Sequence, residues 1–445
     1  MTEGADGLSS ARPVPRGRRA RRVGMFAALA TLTAGAVLLS GCTSGAHPSG
    51  ASPVAANSSQ SDSPSAPSTS AAPDAVITTT PVARTGLDPA EPITVTAAGG
   101  HLLSVKLINP DGAAVTGAMS PDGTTWQTRE DLGYSKTYKL EATAANADGK
   151  TSTQSESFTT LTPDNMTMPY LNTIAGDPLQ NGASYGIGIV PVVHFDESIT
   201  DKAAAERALT VTTSPAVTGV WNWVSDTDAH WRPQKFLAPG TKVTVAANVY
   251  GVQVGQGLYG QADQSVSFKI GASHIAIADD ATHTVSVYFS GKLQRRMPTS
   301  MGQGGYTTGS NGQQIALWTM PGTYTVITHE NPAIMSSDSY GLPANSALGY
   351  PPEPVYWSTK ITVDGIYLHE LDTTVWAQGN SDVSHGCLNL NLDNAKWYYQ
   401  TSLVGDVVEV KNVHTVDGQK SVPVQLWQGG DWTVPWATWI KGSAL

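Results

Sequence analysis

Short runs in which apolar and polar residues alternate recur from about residue 81 onward, with turn signals between them. Ile93-Thr94-Val95-Thr96, Leu103-Ser104-Val105-Lys106-Leu107 and Thr137-Tyr138-Lys139-Leu140-Glu141-Ala142 repeat every second residue, as a strand with one buried face does. Pro110-Asp111-Gly112, Pro121-Asp122-Gly123 and Ala147-Asp148-Gly149 separate them, and such residues favour turns by fixing φ or tolerating φ > 0. Strands at this spacing predict an all-β sandwich over residues 81–160.

A second block covers residues 161–270. It holds an apolar run from Gly186 to Val193, read as a strand, and a helix-like stretch from Asp201 to Leu209. Trp221-Asn222-Trp223, His230-Trp231-Arg232-Pro233 and the alternating Lys242-Val243-Thr244-Val245 follow. This predicts a second sandwich with aromatic filling. The third block, 271–411, opens with His274 to Ala278 and Thr284 to Phe289, read as a hairpin turning at Asp279-Asp280. Its one strong helix pattern runs from Leu392 to Tyr399 behind Asn391. A tail, 412–445, carries Trp427, Trp432, Trp436 and Trp439. The expected role of the tail is to pack on the third block and brace the helix near Trp397; stacking on sugars is the alternative.

The N-terminus reads as an address. Arg-rich residues 16–22 precede an apolar run from Val23 to Leu39, the two parts of a secretory signal. The run ends in Leu39-Ser40-Gly41-Cys42, which resembles a bacterial lipobox. On that reading residues 1–41 are removed and Cys42 is lipidated. An uncleaved anchor with an incidental Cys42 is the alternative. Either places the body outside the cytoplasm, on the membrane and facing the cell wall. One acyl chain binds weakly, so stable anchoring requires several. Residues 42–80 are dominated by Ser, Ala, Pro, Thr and Gly and predict a disordered tether.

Composition narrows the classes. At 445 residues the chain is long enough for about three domains. The first 41 residues carry a net +4 (six Arg against Glu3 and Asp6), so their removal takes the −10 of the whole chain to −14. An acidic body of this kind excludes a nucleic-acid binder. Cys42 and Cys387 are the only cysteines, which excludes a disulfide framework.

Candidate chemistry lies between His369 and Asn389. A thiol becomes a good nucleophile as thiolate, and an imidazole can take its proton. Cys387, His369 and His385 supply both groups. Gly386 permits a tight turn beside the thiol, and backbone N–H groups around 386–388 are candidate oxyanion donors. Two bland readings stand beside this one: Cys387 as a small buried hydrophobe, or as a zinc ligand. One Cys with two His lacks a fourth ligand at motif spacing, so no metal and no cofactor are expected.

Ser384-His385-Gly386-Cys387-Leu388-Asn389, with His369 lying 16 residues before His385, resembles the signature of L,D-transpeptidases. The similarity runs from about residue 85 to the C-terminus. It includes Met297-Pro298-Thr299-Ser300-Met301-Gly302, the segment Met335 to Tyr350, and Gly430-Asp431-Trp432 with Pro435-Trp436. The resemblance implies a mainly β fold of two immunoglobulin-like sandwiches, a β-rich catalytic domain with a short helix, and a Trp-rich C-terminal extension.

For function, the resemblance implies that Cys387 attacks a peptidoglycan stem tetrapeptide, releases D-Ala and forms a thioester. An amine of a second stem then gives a 3→3 cross-link between diaminopimelate residues. His369 is the implied base, held by the backbone carbonyl of Glu370, where the family carries Ser. Ser384, His385 and Gly386 flank the nucleophile, and Asn389 pins the loop. Met335, Tyr340 and Tyr350 match a lid over the donor, and carbapenems are implied inhibitors. Trp376 falls between the two histidines but away from the family's usual Trp. An L,D-carboxypeptidase, in which water resolves the same thioester, and a catalytically inactive wall-binding protein are the competing functions.

Overall fold

The computed structural model describes residues 71–415, 418 and 430–445. The secretory signal, Cys42, the tether as far as residue 70 and Trp427 lie outside the described residues. Among the described residues no helix is long and apolar enough to cross a membrane.

In the first sandwich the strands Val76–Thr80, Thr94–Ala98, Thr125–Thr128 and Gly117–Met119 form one sheet in that order. Gly100–Ile108, Thr137–Asn146 and Thr151–Thr159 form the other. The alternation read from the sequence is visible directly: Tyr138, Leu140 and Ala142 are buried while Lys139 and Glu141 are exposed. One boundary differs from expectation. The tether expected to reach residue 80 ends sooner, because Val76–Thr80 pairs antiparallel with Thr94–Ala98. All five of its residues are β-branched, which favours a strand; the Ser/Thr-rich composition had masked this.

The second sandwich packs Ser184–Tyr185, Gln264–Ile270, Lys242–Ala247 and Leu209–Ser214 against Gly219–Trp223, Asp228–Pro233, Val192–Phe195 and Pro169–Asn172. Its helix, Lys202–Ala208, is capped by Asp201, which accepts the Ala204 N–H at 2.9 Å. The strand expected over Gly186 to Val193 begins only at Val192. Residues 186–190 instead form a seam with the third block: Gly186 and Gly188 N–H groups donate to the carbonyls of Val404 and Gly405 at 2.8 and 2.9 Å. A Cβ on Gly186 would stand 2.1 Å from the Asp406 nitrogen, so glycine is what allows the approach. Val407 of the third block shares this sandwich's core.

The third block contains a five-stranded sheet of Lys292–Pro298, Thr284–Phe289, His274–Asp279, Val407–Lys411 and Gly322–Thr325. A four-stranded sheet of Thr328–Glu330, Ser358–Lys360, Tyr367–Glu370 and Leu388–Leu390 carries the Cys–His segment. The helix Leu392–Thr401 starts at Asn391, whose side chain accepts the Asn394 N–H at 2.9 Å. The first hairpin forms as expected, though its turn is a short 3₁₀ segment, Asp280–Thr282, closed by His283 at φ 47°.

The tail departs in part from a third expectation. Its start packs on the third block as expected, with Asn412 bonded to Asp279 and His414 to Asp280 and Gln303, whereas residues 430–445 pack chiefly on the second sandwich. The Trp439 indole donates to the Val220 carbonyl (3.0 Å), and Asn222 Nδ2 donates to the Trp439 carbonyl (2.8 Å). The buried Arg232 guanidinium lies over the rings of Trp439, Trp432 and Trp436 at 4.4, 4.9 and 5.5 Å. Within residues 430–445, Thr433 reaches the third block through Thr323. A cation buried in the second sandwich, with aromatic faces to cover it, decides where the Trp-rich tail goes.

Candidate active site

Strand Leu388–Leu390 runs parallel to Tyr367–Glu370, with Leu368 opposite Leu388 and His369 opposite Asn389. Side chains two residues apart share a face of a sheet. Cys387, two residues before Asn389, is therefore carried on the face from which His369 projects. Both strands are short and bury leucines on the other face: Leu368, Leu388 and Leu390. That packing fixes the register, and the register brings the thiol and the imidazole to the wall of one cavity.

The turn before Cys387 is held from several directions. Ser384 Oγ donates to the Cys387 carbonyl at 2.6 Å and accepts the Gly386 N–H at 3.0 Å. The Ser384 N–H donates to the Met301 carbonyl at 3.0 Å. Gly386 has φ +140°, and a Cβ there would stand 2.7 Å from Ile366 Cδ1. Its carbonyl accepts the Thr319 hydroxyl at 2.7 Å, and that buried hydroxyl accepts the Gly302 N–H at 2.9 Å. Asn389 pins the loop through its backbone, exchanging N–H···O bonds with Ser300 at 2.9 and 3.2 Å. One expected oxyanion donor is withdrawn: the Gly386 N–H is already engaged by Ser384.

His369 is buried, 4% exposed. Its Nδ1 bonds to the Glu370 carbonyl at 2.9 Å. A carbonyl only accepts, so Nδ1 carries the proton and Nε2 is left as a base. The Glu370 carboxylate turns elsewhere and accepts the Asp372 N–H at 3.0 Å. Burial pulls the imidazole down to about 4, partly offset by that carbonyl. Burial pushes the Cys387 thiol up to about 11, eased by the Tyr367 backbone and aggravated by the negative charge of Asp364. The resting pair is thus neutral thiol and neutral imidazole. The thiol donates weakly to the Gly365 carbonyl at 3.6 Å.

Two cavities meet at Cys387. One, of ≈ 480 Å³, is lined by Trp318, Tyr340, Tyr350, Asp364, His385 and Cys387 among others. The other, of ≈ 220 Å³, is lined by Met335, Tyr350, Glu353, His369, Asn389 and Cys387 among others. Tyr350, His385 and Cys387 belong to both. The His385 ring lies 5.6 Å from that of Tyr350, nearly parallel, and 6.4 Å from that of Tyr340. Burial lowers its basicity, while a bond to the Leu348 backbone raises it. Burial also pushes the Tyr340 phenol up to about 12.

The structure therefore gathers Cys387, His369, Ser384, His385, Gly386, Asn389, Met335, Tyr340 and Tyr350 around one centre. Trp376 is 70% exposed and lines neither cavity. Sequence reasoning missed Thr319 and Trp318, which back the turn from a loop that carries no motif.

Fold and site together define a class: a β-rich domain with a thiol and an imidazole between two cavities, carried on immunoglobulin-like sandwiches. A profile for the L,D-transpeptidase catalytic domain matches residues 273–410, and one for a bacterial Ig domain matches 84–253. L,D-transpeptidase 2 of Mycobacterium tuberculosis is 40% identical over 353 residues, which span 79% of this chain and 81% of that protein. L,D-transpeptidase 5 of the same species is 35% identical over 366 residues, 80% of this chain and 74% of its own. Among solved structures, L,D-transpeptidase 3 from Mycobacterium tuberculosis in complex with a faropenem-derived adduct is 30% identical and covers 52% of this chain and 95% of its own, at a TM-score of 0.43. The chain belongs to the L,D-transpeptidase family, whose members cross-link peptidoglycan.

Proposed function

We propose that the chain is a cysteine acyltransferase that joins two peptidoglycan stem peptides through a thioester on Cys387. The observation that carries this reading is the position of Cys387 in the wall shared by two cavities. A hydrolase needs room for one stem and a water; a transferase needs room for two stems.

The chemistry follows from the proton positions. Moving a proton from a thiol near 11 to an imidazole near 4 costs about 10 kcal/mol before their mutual attraction is counted. A free ion pair is therefore not the resting state, and proton transfer to His369 Nε2 accompanies formation of the S–C bond. The C–N bond of the donor then breaks, and the imidazolium gives its proton to the departing D-Ala amine. In the second half, the neutral amine of another stem's diaminopimelate attacks the thioester carbonyl and loses its proton to His369. The sulfur leaves and recovers that proton. Both amines exchange protons with one imidazole, so both use the smaller cavity, where His369 lies. The acyl part of the donor stem occupies the larger cavity under Tyr340 and Tyr350. His385, packed on Tyr350, positions this lid.

Incubation with a purified disaccharide-tetrapeptide tests the reading. A dimer with one D-Ala released per link supports transfer; tripeptide alone would identify an L,D-carboxypeptidase. No product, no carbapenem adduct and a cellular effect that survives Cys387→Ala would leave only a wall-binding protein. By the same chemistry a carbapenem, whose strained amide is open to thiols, acylates Cys387. For location, the lipobox-like sequence supports anchoring through Cys42. Intact-mass analysis of the membrane-extracted protein tests this: loss of residues 1–41 with an acylated Cys42 supports the anchor, and a full-length chain with unmodified Cys42 would point to the uncleaved anchor.

A further inference from the structure

We propose that Asp280, His283, Asp382 and His414 form a binding site for one divalent transition-metal ion of zinc's class, which ties the loop before Cys387 to the central sheet. These residues come from three distant segments: the first hairpin turn, the stretch just before the Ser384–Cys387 turn, and the start of the tail.

The donor atoms already stand at ligand spacing. One atom each from Asp280, His283 and Asp382 lie within 4.8 Å of one another. His283 Nδ1 is 3.1 Å from Asp382 Oδ2, and His414 Nδ1 is 3.7 Å from the same oxygen and 2.6 Å from Asp280 Oδ2. Zinc holds N and O ligands at about 2.0–2.2 Å, so the edges of its tetrahedron are about 3.3–3.6 Å. Small shifts of the four side chains reach that figure. Two imidazoles with two carboxylates suit this class of ion and not magnesium or calcium.

Independent features point to a cation at this place. Asp280 is 2% exposed, and its Oδ1 has no hydrogen-bond partner although Oδ2 takes both the N–H and the Nδ1 of His414. A buried carboxylate oxygen without a partner is costly. The Asp382 side chain, 6% exposed, presents its carboxylate within 4.8 Å of the Asp280 donor atom, and two buried carboxylates this close require positive charge beside them. Second partners are in place as well. His414 Nε2 reaches the Gln303 carbonyl at 3.3 Å, which leaves Nδ1 as the ligand nitrogen. Asp382 Oδ1 accepts the Met301 N–H at 2.7 Å, which leaves Oδ2 for the ion.

The ion would reach the nucleophile through short links. Asp382 holds the Met301 N–H, the Met301 carbonyl holds Ser384, and Ser384 holds the Cys387 carbonyl. The four residues are positioning groups that line neither cavity at Cys387, and the binding claim stands whatever reaction Cys387 performs.

The test uses the full chain carrying Cys387→Ala, so that the thiol cannot supply the metal. After stripping with a chelator, Zn²⁺ titration by calorimetry should give one ion per chain, with a rise in melting temperature. Asp280→Asn and His283→Gln should each weaken binding by about 100-fold. Affinity should fall as pH drops, because ligand nitrogens must lose protons. Co²⁺ in place of Zn²⁺ should give visible d–d bands that His283→Gln removes. The His283 side chain is 26% exposed, so that variant should fold even where Asp280→Asn does not. Absence of stoichiometric Zn²⁺, or binding indifferent to both substitutions in cooperatively melting protein, overturns the proposal.

Discussion

His369 Nδ1–H donates a hydrogen bond to the backbone carbonyl of Glu370, 2.9 Å away, while the Glu370 carboxylate faces Asp372. The family's Ser at this position and the Glu found here are therefore equivalent for the imidazole, since only the carbonyl acts. Glu370→Ser should leave the rate of acylation by a carbapenem within about twofold of the parent. His369→Ala should lower it by about 10² or more, within the range of general-base catalysis. Both rates are read by intact-protein mass spectrometry. A tenfold loss in Glu370→Ser would show that the carboxylate takes part after all.

On the proposed mechanism, the neutral pair predicts a flat pH profile for acylation. An ordinary imidazole titrates near 6.5, whereas burial holds His369 at about 4. The base therefore stays unprotonated across the neutral range, and the thiol stays protonated up to about 11. Acylation by a carbapenem should be flat from pH 5 to 9, with no inflection near 6.5 or 8.5. Stability carries the matching sign. Between 6.5 and 4 the unfolded chain binds a proton at this residue that the folded chain refuses, so stability falls as pH falls. The loss from His369 alone is on the order of 3 kcal/mol by pH 4. A sigmoidal rate profile centred near 6.5 would refute the assignment.

Much of this was legible in the sequence, for physical reasons that also mark its limits. Strands with one wet face announce themselves by alternation, as Thr137–Asn146 does. The Ser384–Asn389 motif is local because a tight turn must place its own side chains. The apolar run at Gly186–Val190 misled because a buried strand and a buried seam look alike when both faces are covered. The tail's partner was hidden because its decisive contact is with Arg232, some 200 residues earlier. Thr319 left no signal, since its job is to satisfy two backbone groups that only the fold brings together.

Thr319 offers a sharp test of how the turn is held. Its hydroxyl gives a hydrogen bond to the Gly386 carbonyl and takes one from the Gly302 N–H, both buried. Thr319→Val keeps the shape and leaves both groups unpaired, at a cost of about 2–4 kcal/mol. The variant should melt lower and acylate more slowly even where it is fully folded, because the Gly386–Cys387 peptide is no longer fixed. Thr319→Ser should restore most of both. If valine slows nothing at a temperature where the variant is folded, the turn does not depend on this hydroxyl.

Trp439 separates scaffold from chemistry. Its ring is fully buried, its indole donates to Val220, and the Arg232 guanidinium lies 4.4 Å above it. Burial pulls Arg232 down to about 10, yet it remains charged at neutral pH, so uncovering it also exposes a poorly paired cation. Trp439→Ala should therefore destabilise the chain by about 3–5 kcal/mol, the usual cost of emptying a large aromatic site. No described tail residue lines either cavity. Acylation of Cys387 at a temperature where the variant is folded should stay within about twofold of the parent. Calorimetry and mass spectrometry on the same preparation read the two effects. A slowed reaction with an unchanged melting temperature would mean that the tail acts on the active site, and that its packing on the second sandwich is incidental.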